Sequence, residues 1–190
     1  MNTALTYYDQ TFKTNALLVH PGDYFTTRDS QIMVVTLLGS CVSACVRDRE
    51  QKIGGLNHFL LPEPSGSVIT SASNRYGSYA MERLINDILK QGGRRENLEV
   101  KLFGGSHLIQ NGLNIGQSNI DFIRTYMKTE QIRVVSEDLG GTFARRIHYW
   151  PTSGRVMRLM IEQQTKIIQQ ETNYQQTIKA KEDFGQVELF

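Results

Sequence analysis

Few cysteines and no long apolar run narrow the classes of protein to which this chain can belong. It has two cysteines in 190 residues, whereas small secreted folds that depend on disulfides carry several. On one strand, Cys41 and Cys45 would lie about 13 Å apart, which exceeds the reach of a disulfide. We therefore expect two reduced thiols with separate roles.

The chain also lacks the marks of a membrane or nucleic-acid-binding protein. No apolar run approaches the roughly 20 residues that span a bilayer, and residues 1–15 lack the apolar region of a secretory signal. The formal net charge is only +2, with acids and bases interspersed, so there is no basic footprint for nucleic acid. We expect a cytoplasmic protein that neither inserts into membranes nor binds nucleic acid.

Motifs for metals and phosphates are missing as well. The spacing of Cys41 and Cys45 matches no common zinc motif, and Gly104-Gly105 belongs to no G-x-x-x-x-G-K phosphate loop. Three histidines have no Cys, His or carboxylate partner at ligand spacing: His20, His107 and His148. We therefore expect neither a metal nor a cofactor.

What the sequence does contain is a candidate hairpin that carries a cysteine and a histidine. Residues 41–46 alternate between two faces, with both cysteines on the same one, and this period of two is typical of a strand. Residues 48–52 are polar and turn-prone, and residues 53–59 can return as the antiparallel partner.

The position of the turn sets which residues face one another. A turn centred near Arg49 and Glu50 would pair Val46 with Ile53, and Cys41 with His58. Directly opposed residues on a sheet have Cβ atoms roughly 4.5–5.5 Å apart. The pattern therefore predicts a thiol and an imidazole within proton-exchange distance.

A cysteine nucleophile with a histidine base explains these residue types. An imidazole takes the thiol proton, and the resulting imidazolium stabilises the reactive thiolate. Gly39 and Ser40 suit a tight bend whose backbone N–H groups could stabilise the oxyanion of acyl transfer. The alternative interpretation is structural, since most free cysteines are buried and behave as small hydrophobes.

Several blocks in the sequence resemble the chemoreceptor glutamine deamidase family, CheD. They occur in the family's order and extend from about Thr36 to Arg158. The blocks are LGSCVSACVRD at 38–48 with GGLNHFLLP at 54–62, RYG-x-x-AM at 75–81, KLFGG at 101–105, NIG-x-x-N at 114–119, and DLGG with Arg145 at 138–145.

This resemblance implies roles for individual residues. Cys41 matches the family's nucleophile and His58 its general base. The third catalytic member of the family is a threonine on the strand that leads into LGSC, for which Thr36 is the candidate. Its hydroxyl would orient the imidazole through the ring nitrogen that does not face Cys41. The alternative for Thr36 is an ordinary β-branched strand residue.

The fold expected from the pattern is α+β in a single domain. Strands are predicted at 16–19, 31–38, 98–103, 132–135, 144–150 and 155–161. One helix carries an apolar stripe from Met81 to Leu89 and stops at Gly92-Gly93, and a second is capped by Ser118 and covers 119–127. The family resemblance implies layered mixed β-sheets with helices packed on one side.

We expect the domain to cover residues 1–161, followed by a polar Gln-rich tail at 162–190. Gln pairs recur at 163/164, 169/170 and 175/176, a six-residue spacing that keeps to no single helical face. The tail is interpreted as a solvated helix or a disordered extension. The alternative is that its end, 183–190, is a docking peptide.

The function implied by the resemblance is hydrolytic deamidation of glutamines in chemotaxis receptors. The partners would be the helical cytoplasmic domains of the receptors and, in some lineages, a CheC-type phosphatase. Two alternatives use the same fold. One is an adaptor that binds receptors or the phosphatase without catalysis, and the other is a small-molecule amidase, which would need a closed pocket.

Overall fold

The computed structural model describes residues 5–61, 71–108, 115–162 and 165–183. Its strands are β1 (Leu5–Asp9), β2 (Thr14–Leu18), β3 (Tyr24–Thr27), β4 (Ile32–Leu38), β5 (Val42–Asp48), β6 (Ile53–Asn57), β7 (Leu98–Gly104), β8 (Arg133–Leu139), β9 (Ala144–Trp150) and β10 (Arg155–Ile161). Its helices are α1 (Ser71–Lys90), α2 (Ile115–Thr129) and α3 (Thr165–Asp183), with a short 3-10 turn at Arg95–Asn97. Among the described helices, none is long and apolar enough to cross a bilayer.

The strands form two five-stranded mixed sheets. Sheet A has the order β1-β2-β4-β9-β10, and sheet B has the order β3-β6-β5-β7-β8. Parallel pairs join β2 to β4 and β7 to β8, and the remaining neighbours are antiparallel. Because β4 belongs to sheet A and β5 to sheet B, the chain passes from one sheet to the other at residues 39–41.

The two faces of sheet B are covered by different layers. One face packs on α1 and α2 through an apolar core whose members include Val46, Val100, Leu84, Ile88 and Ile123. The other face packs on sheet A through a second core that includes Leu56, Phe103, Val34, Ile147 and Tyr149. The result is three layers with α1 and α2 on one side, which confirms the predicted α+β class with layered mixed sheets.

Alternation on β5 places its side chains in both cores. Val42, Ala44 and Val46 contact the helix layer, whereas Cys41 and Cys45 lie in the core between the sheets. Both cysteines are free and buried, which agrees with the expectation of reduced thiols. The predicted sharing of one face by the two cysteines is confirmed.

The register of the predicted hairpin was wrong by two residues. Asp48 pairs with Ile53 and Cys45 with Leu56, because the Asp48 carboxylate accepts the N–H groups of Glu50 and Gln51, both at 2.8 Å, and shifts the turn. Side chains on a strand repeat every two residues, so a shift of two keeps every residue on its predicted face. Cys41 and His58 are therefore diagonal neighbours rather than directly opposed.

Of the other predicted elements, one hairpin is confirmed, one helix cap is wrong, and two strands were not predicted. The hairpin at 144–150 and 155–161 has the predicted bounds. The predicted cap at Ser118 is wrong, because α2 already begins at Ile115. Strands β1 and β3 were not predicted, since each is short and at most one of their described side chains is buried.

The Gln-rich tail contains a helix that packs against the rest of the protein. Helix α3 buries Ile167, Glu171 and Ile178, so it is not a fully solvated helix. The end of the tail, 184–190, lies outside the described residues, and the predicted domain division after residue 161 stays a prediction.

Candidate active site

The site lies where the chain crosses between the two sheets. Strand β4 ends at Leu38 and β5 begins at Val42, so Cys41 sits in the short turn that joins them. A pair of backbone hydrogen bonds between Val42 and Phe59, each 3.0 Å, ties the start of β5 to the chain beyond β6. This pairing holds His58 beside the turn.

All three carbonyls of the turn at 39–41 are held by donors from the two residues that follow β7 and from α2. The N–H of Ser106 donates to Gly39 O at 2.7 Å, Asn119 Nδ2 donates to Ser40 O at 3.0 Å, and the N–H of Gly105 donates to Cys41 O at 2.7 Å. Fixing the carbonyls in this way fixes the planes of the peptide groups. The N–H groups of the turn are thereby oriented as well.

These N–H groups converge on a single carboxylate, that of Glu171 in α3. Its Oε1 accepts the N–H groups of Gly39 at 3.0 Å and Cys41 at 3.1 Å. Its Oε2 accepts the N–H of Ser40 at 3.0 Å and the Ser40 hydroxyl at 2.7 Å. We call the N–H groups of Gly39, Ser40 and Cys41 the amide cradle. It has the geometry expected of an oxyanion hole, with the Glu171 oxygens in the place of substrate oxygens.

Glycines allow the cradle to form. A Cβ on Gly39 would lie 2.9 Å from both oxygens of Glu171, so any side chain there would obstruct the bound group. Gly104 has a φ of +112°, and a Cβ on it would overlap Cys41 O. Gly104 of the KLFGG block therefore lets the end of β7 approach the turn at 39–41 closely.

Thr36 and His58 form the hydrogen bond that the family resemblance implies. Thr36 Oγ1 is 3.0 Å from Val19 O, which can only accept, and 2.8 Å from His58 Nδ1. Because the hydroxyl has one hydrogen and donates it to Val19, His58 Nδ1 must carry a proton and donate to Thr36. The other ring nitrogen, Nε2, is then the basic one, and it has no hydrogen-bond partner among the described residues.

The backbone of His58 is fixed by the turn after β2. Its N–H donates to Asp23 O at 2.9 Å, and its carbonyl accepts the N–H of Gly22 at 2.7 Å. The imidazole is 3% exposed. With both its backbone and Nδ1 held, the ring has little freedom to turn away from Cys41.

Burial sets the charge states of the pair. Desolvation, together with the negative charge of Glu171, holds the pKa of the Cys41 thiol well above its ordinary value. Desolvation lowers the pKa of His58 to about 4, against an opposing effect of Glu171. Near neutral pH the site therefore holds a neutral thiol and a neutral imidazole, a resting pair from which proton transfer can begin.

The same three side chains have the residue types of a metal site. Cys41, His58 and Glu171 each offer a possible ligand atom, and these atoms lie within 4.8 Å of one another. Both oxygens of Glu171, however, already accept two hydrogen bonds each, which uses the acceptor capacity of a carboxylate. The arrangement fits an anion held by N–H groups better than a ligand set for zinc.

Comparison with known proteins identifies the family of this chain. The family model for CheD chemotactic sensory transduction matches residues 60–160. A protein of Methylobacillus flagellatus, named probable chemoreceptor glutamine deamidase CheD, is 46% identical over 97% of this chain and 94% of its own length. Relatives with the same name from a Janthinobacterium species and Bordetella avium are 44% and 49% identical, over 97% and 80% of this chain and 93% and 68% of their own lengths. The chain belongs to the CheD family.

A solved structure of a Neisseria meningitidis protein from the DUF152 family matches more distantly. It covers 70% of this chain and 66% of its own, with a TM-score of 0.46 and 10% identity, a likeness too weak to bear on function.

Sequence reasoning identified the CheD blocks but missed some of the residues that complete the site. Asn119 was part of a recognised block, yet its role in holding Ser40 O and accepting the N–H of Leu61 at 2.8 Å was not predicted. Glu171 was not predicted at all. A glutamate in a Gln-rich helix at the apolar spacing of Ile167 and Ile178 was the available signal.

Proposed function

We propose that this protein is a chemoreceptor glutamine deamidase, with Cys41 as nucleophile, His58 as general base and acid, and Thr36 as the residue that orients His58. The observation that carries the proposal is the amide cradle directly beside a thiol and a histidine whose tautomer is set by Thr36. The names of its relatives support the substrate class.

In the first half of the reaction the thiol displaces ammonia. His58 Nε2 takes the proton from Cys41, and the sulfur forms a bond with the amide carbon of the glutamine side chain. The carbonyl oxygen becomes negative and is stabilised in the amide cradle. His58 then returns the proton to the amide nitrogen, the C–N bond breaks, and ammonia leaves a thioester on Cys41.

In the second half water replaces the sulfur. His58 accepts a proton from water, hydroxide adds to the thioester carbon, and the amide cradle again holds the oxyanion. The C–S bond breaks and the thiol regains its proton. The net reaction is glutamine plus water to glutamate plus ammonia. On a receptor helix the change adds negative charge, which can bias a two-state signalling protein.

The residues around the pair explain why Cys41 is reactive and Cys45 is not. Both thiols are buried in the core between the sheets, Cys41 directly before β5 and Cys45 within it, and burial raises the pKa of each. Only Cys41 lies beside an imidazole and contributes its own N–H to the amide cradle. Cys45 therefore serves as a matched control for any experiment on Cys41.

The test is to incubate the protein with a receptor signalling fragment and map conversion of glutamine to glutamate by peptide mass spectrometry. Cys41→Ala should abolish conversion, because nothing else at that position can form the thioester, and Cys45→Ser should retain it. Wild-type turnover by Cys41→Ala would overturn the mechanism. Binding of the fragment without conversion by the wild type, under reducing conditions, would favour the adaptor.

Location and the second partner are also part of the proposal. A receptor deamidase must reach cytoplasmic receptor domains, so we expect the protein in the cytoplasm. A CheC-type phosphatase is expected to bind in lineages that have one, and co-elution of the two purified proteins would test it.

A further inference from the structure

Helix α3 presents a narrow stripe towards the active site. Ile167, Glu171, Tyr174 and Ile178 follow one another at intervals of four, three and four residues, which places them on one helical face. Ile167, Glu171 and Ile178 are buried and Tyr174 is half-buried. Glu171, at the centre of this face, enters the amide cradle, and the apolar residues lie above and below it.

A buried carboxylate needs hydrogen-bond donors or a cation to offset its loss of hydration. For Glu171 the donors belong to the turn that carries Cys41. Among the described residues Glu171 is paired with no cation. Its hydrogen bonds to the Cys41 turn come from three backbone N–H groups and the Ser40 hydroxyl. Burial of a charge without such donors would be strongly unfavourable, so the position of α3 depends on the site that it covers.

Tyr174 fixes the helix at a second point. Its ring stands over Gly22, where a Cβ would overlap the hydroxyl, and that hydroxyl is hydrogen-bonded to the hydroxyl of Tyr76 in α1. Gly22 is the residue whose N–H holds the carbonyl of His58. The helix thus contacts both the turn that carries the nucleophile and the turn that supports the base.

The chemistry of the occupant matches the proposed product. The glutamate side chain is what a glutamine side chain becomes after deamidation, and a carboxylate oxygen of Glu171 lies within 4.8 Å of the Cys41 sulfur. We propose that the surface beneath α3 is the binding site for the substrate helix, and that α3 occupies it as an internal mimic of the product, so that the enzyme is self-inhibited until α3 is displaced. This inference rests on the proposed deamidase function.

The same arrangement describes the helix that would replace α3. It would carry its glutamine between apolar residues at positions equivalent to Ile167, Tyr174 and Ile178. The fit of α3 itself is incomplete, because a cavity of about 280 Å³ remains beside Glu171, with Leu108, Ile115 and Ile168 in its lining. Side chains of α3 beside this open pocket, such as Ile168, are not fully packed against apolar neighbours, so α3 is easier to displace than a fully packed helix.

Self-inhibition also acts on the nucleophile. Burial raises the pKa of the Cys41 thiol, and the charge of Glu171 raises it further. Departure of α3 removes this charge, so the fraction of Cys41 present as thiolate increases.

The decisive experiment turns α3 into a substrate. In full-length Glu171→Gln the amide oxygen can take the place of Oε1 and accept the N–H groups of Gly39 and Cys41, while the amide nitrogen takes the place of Oε2 and can donate to the Ser40 hydroxyl. We expect Cys41 to convert the introduced glutamine back to glutamate within the same molecule, so peptide mass spectrometry should find glutamate at position 171.

Two controls accompany this experiment: a neighbouring glutamine in the same peptide, and a double variant that lacks the nucleophile. Gln170 is adjacent in sequence but exposed on another helical face, so it should remain glutamine. In Cys41→Ala combined with Glu171→Gln, position 171 should also remain glutamine. Conversion at both 170 and 171, or conversion without Cys41, would overturn the proposal.

A second variant tests inhibition without requiring conversion. Glu171→Ala should speed deamidation of a receptor fragment and alkylation of Cys41 by iodoacetamide, each by about tenfold, which corresponds to about 1.4 kcal/mol of docking free energy. Buried Cys45 provides the internal reference for alkylation. Circular dichroism and the melting temperature would establish that the variant is folded.

The outcomes separate the inference from the function on which it rests. If the wild type deamidates receptor while the glutamine of Glu171→Gln stays unconverted and Glu171→Ala gains nothing, α3 is not a product mimic although the enzyme is a deamidase. If the wild type and both variants fail to convert any receptor glutamine, the proposed function itself is wrong.

Discussion

Helices α2 and α3 both hold the turn that carries Cys41, but they do so in opposite ways. Asn119 of α2 binds the carbonyl of Ser40, and Glu171 of α3 binds the N–H groups of the same turn. Helix α2 is anchored by five buried apolar side chains, Ile120, Phe122, Ile123, Tyr126 and Met127. The buried apolar side chains of α3, where they are described, are Ile167 and Ile178.

This difference makes α2 part of the scaffold and α3 an occupant of the site. A helix with a wide apolar face contributes to the core and cannot leave without unfolding the protein. A helix held by a narrow stripe and by hydrogen bonds to one turn can detach at much lower cost. Asn119 therefore shapes the amide cradle permanently, whereas Glu171 fills it reversibly.

The largest expected contrast is in stability. Ile123→Ala in α2 should lower the free energy of unfolding by about 2–5 kcal/mol, because it leaves a cavity in the core. Ile167→Ala in α3 should lower it by less than about 1 kcal/mol, because α3 opens before the rest unfolds. Urea denaturation of the two variants measures this, and equal losses would make α3 part of the cooperative core.

A smaller contrast is expected within the hydrogen-bond network. Asn119→Leu leaves the buried N–H of Leu61 and the partly buried carbonyl of Ser40 without their partner, and the loss at the buried N–H costs about 1–3 kcal/mol. It should therefore reduce both stability and deamidation, whereas Glu171→Ala should increase deamidation. Turnover of receptor fragment and melting temperature, measured together, test this, and a rise in turnover for Asn119→Leu would contradict it.

The orienting role of Thr36 gives a prediction that concerns activity more than stability. Thr36→Val removes the acceptor for His58 Nδ1, and we expect turnover to fall roughly 10- to 100-fold, which is part of the roughly 10²- to 10⁴-fold that a positioned base contributes in full. Thr36→Ser keeps the hydroxyl and should retain most activity. If the valine variant matches the serine variant, Thr36 is a structural strand residue.

A gradual effect, spread over more than two pH units, is expected in the dependence of stability on pH. Burial lowers the pKa of His58 from 6.5 to about 4, so between these values the unfolded chain binds more protons than the folded one. Stability should therefore fall as pH drops through this window, by up to about 1.4 kcal/mol per pH unit. His58→Gln should show a shallower decline in urea titrations, and an unchanged slope would mean that His58 is not buried as a neutral ring.

Local patterns in the sequence were enough to predict much of the framework. Alternation over residues 41–46 assigned side chains to the correct faces of β5, and turn residues bounded the hairpin of β9 and β10. The register near Cys41 was wrong because one carboxylate, that of Asp48, moved the turn. Such a side-chain effect has no signature in a pattern of apolar and polar residues.

The same reasoning found the proposed catalytic residues but not Glu171. Cys41 and His58 were named from the hairpin pattern and again through family resemblance, Thr36 was named through resemblance alone, and the hydrogen bond between Thr36 and His58 agrees with the expected orientation. Glu171 lies 130 residues from Cys41, and no local spacing connects them. Contacts of that range depend on how the layers pack, which the periodicity of single elements does not specify.

The bond between Thr36 and His58 joins a strand of sheet A to the end of a strand in sheet B. Strand β4, which carries Thr36, is bordered by β2 and β9, so sheet A is complete around it only after Ala144–Trp150 has been synthesised. A slip of one residue between the sheets, roughly 3.3 Å, would separate the hydroxyl from the imidazole. A growing or partly folded chain can therefore pair β5 with the end of β6 and bring His58 beside Cys41, but the imidazole is held in its tautomer by Thr36 only when assembly of the two sheets is finished.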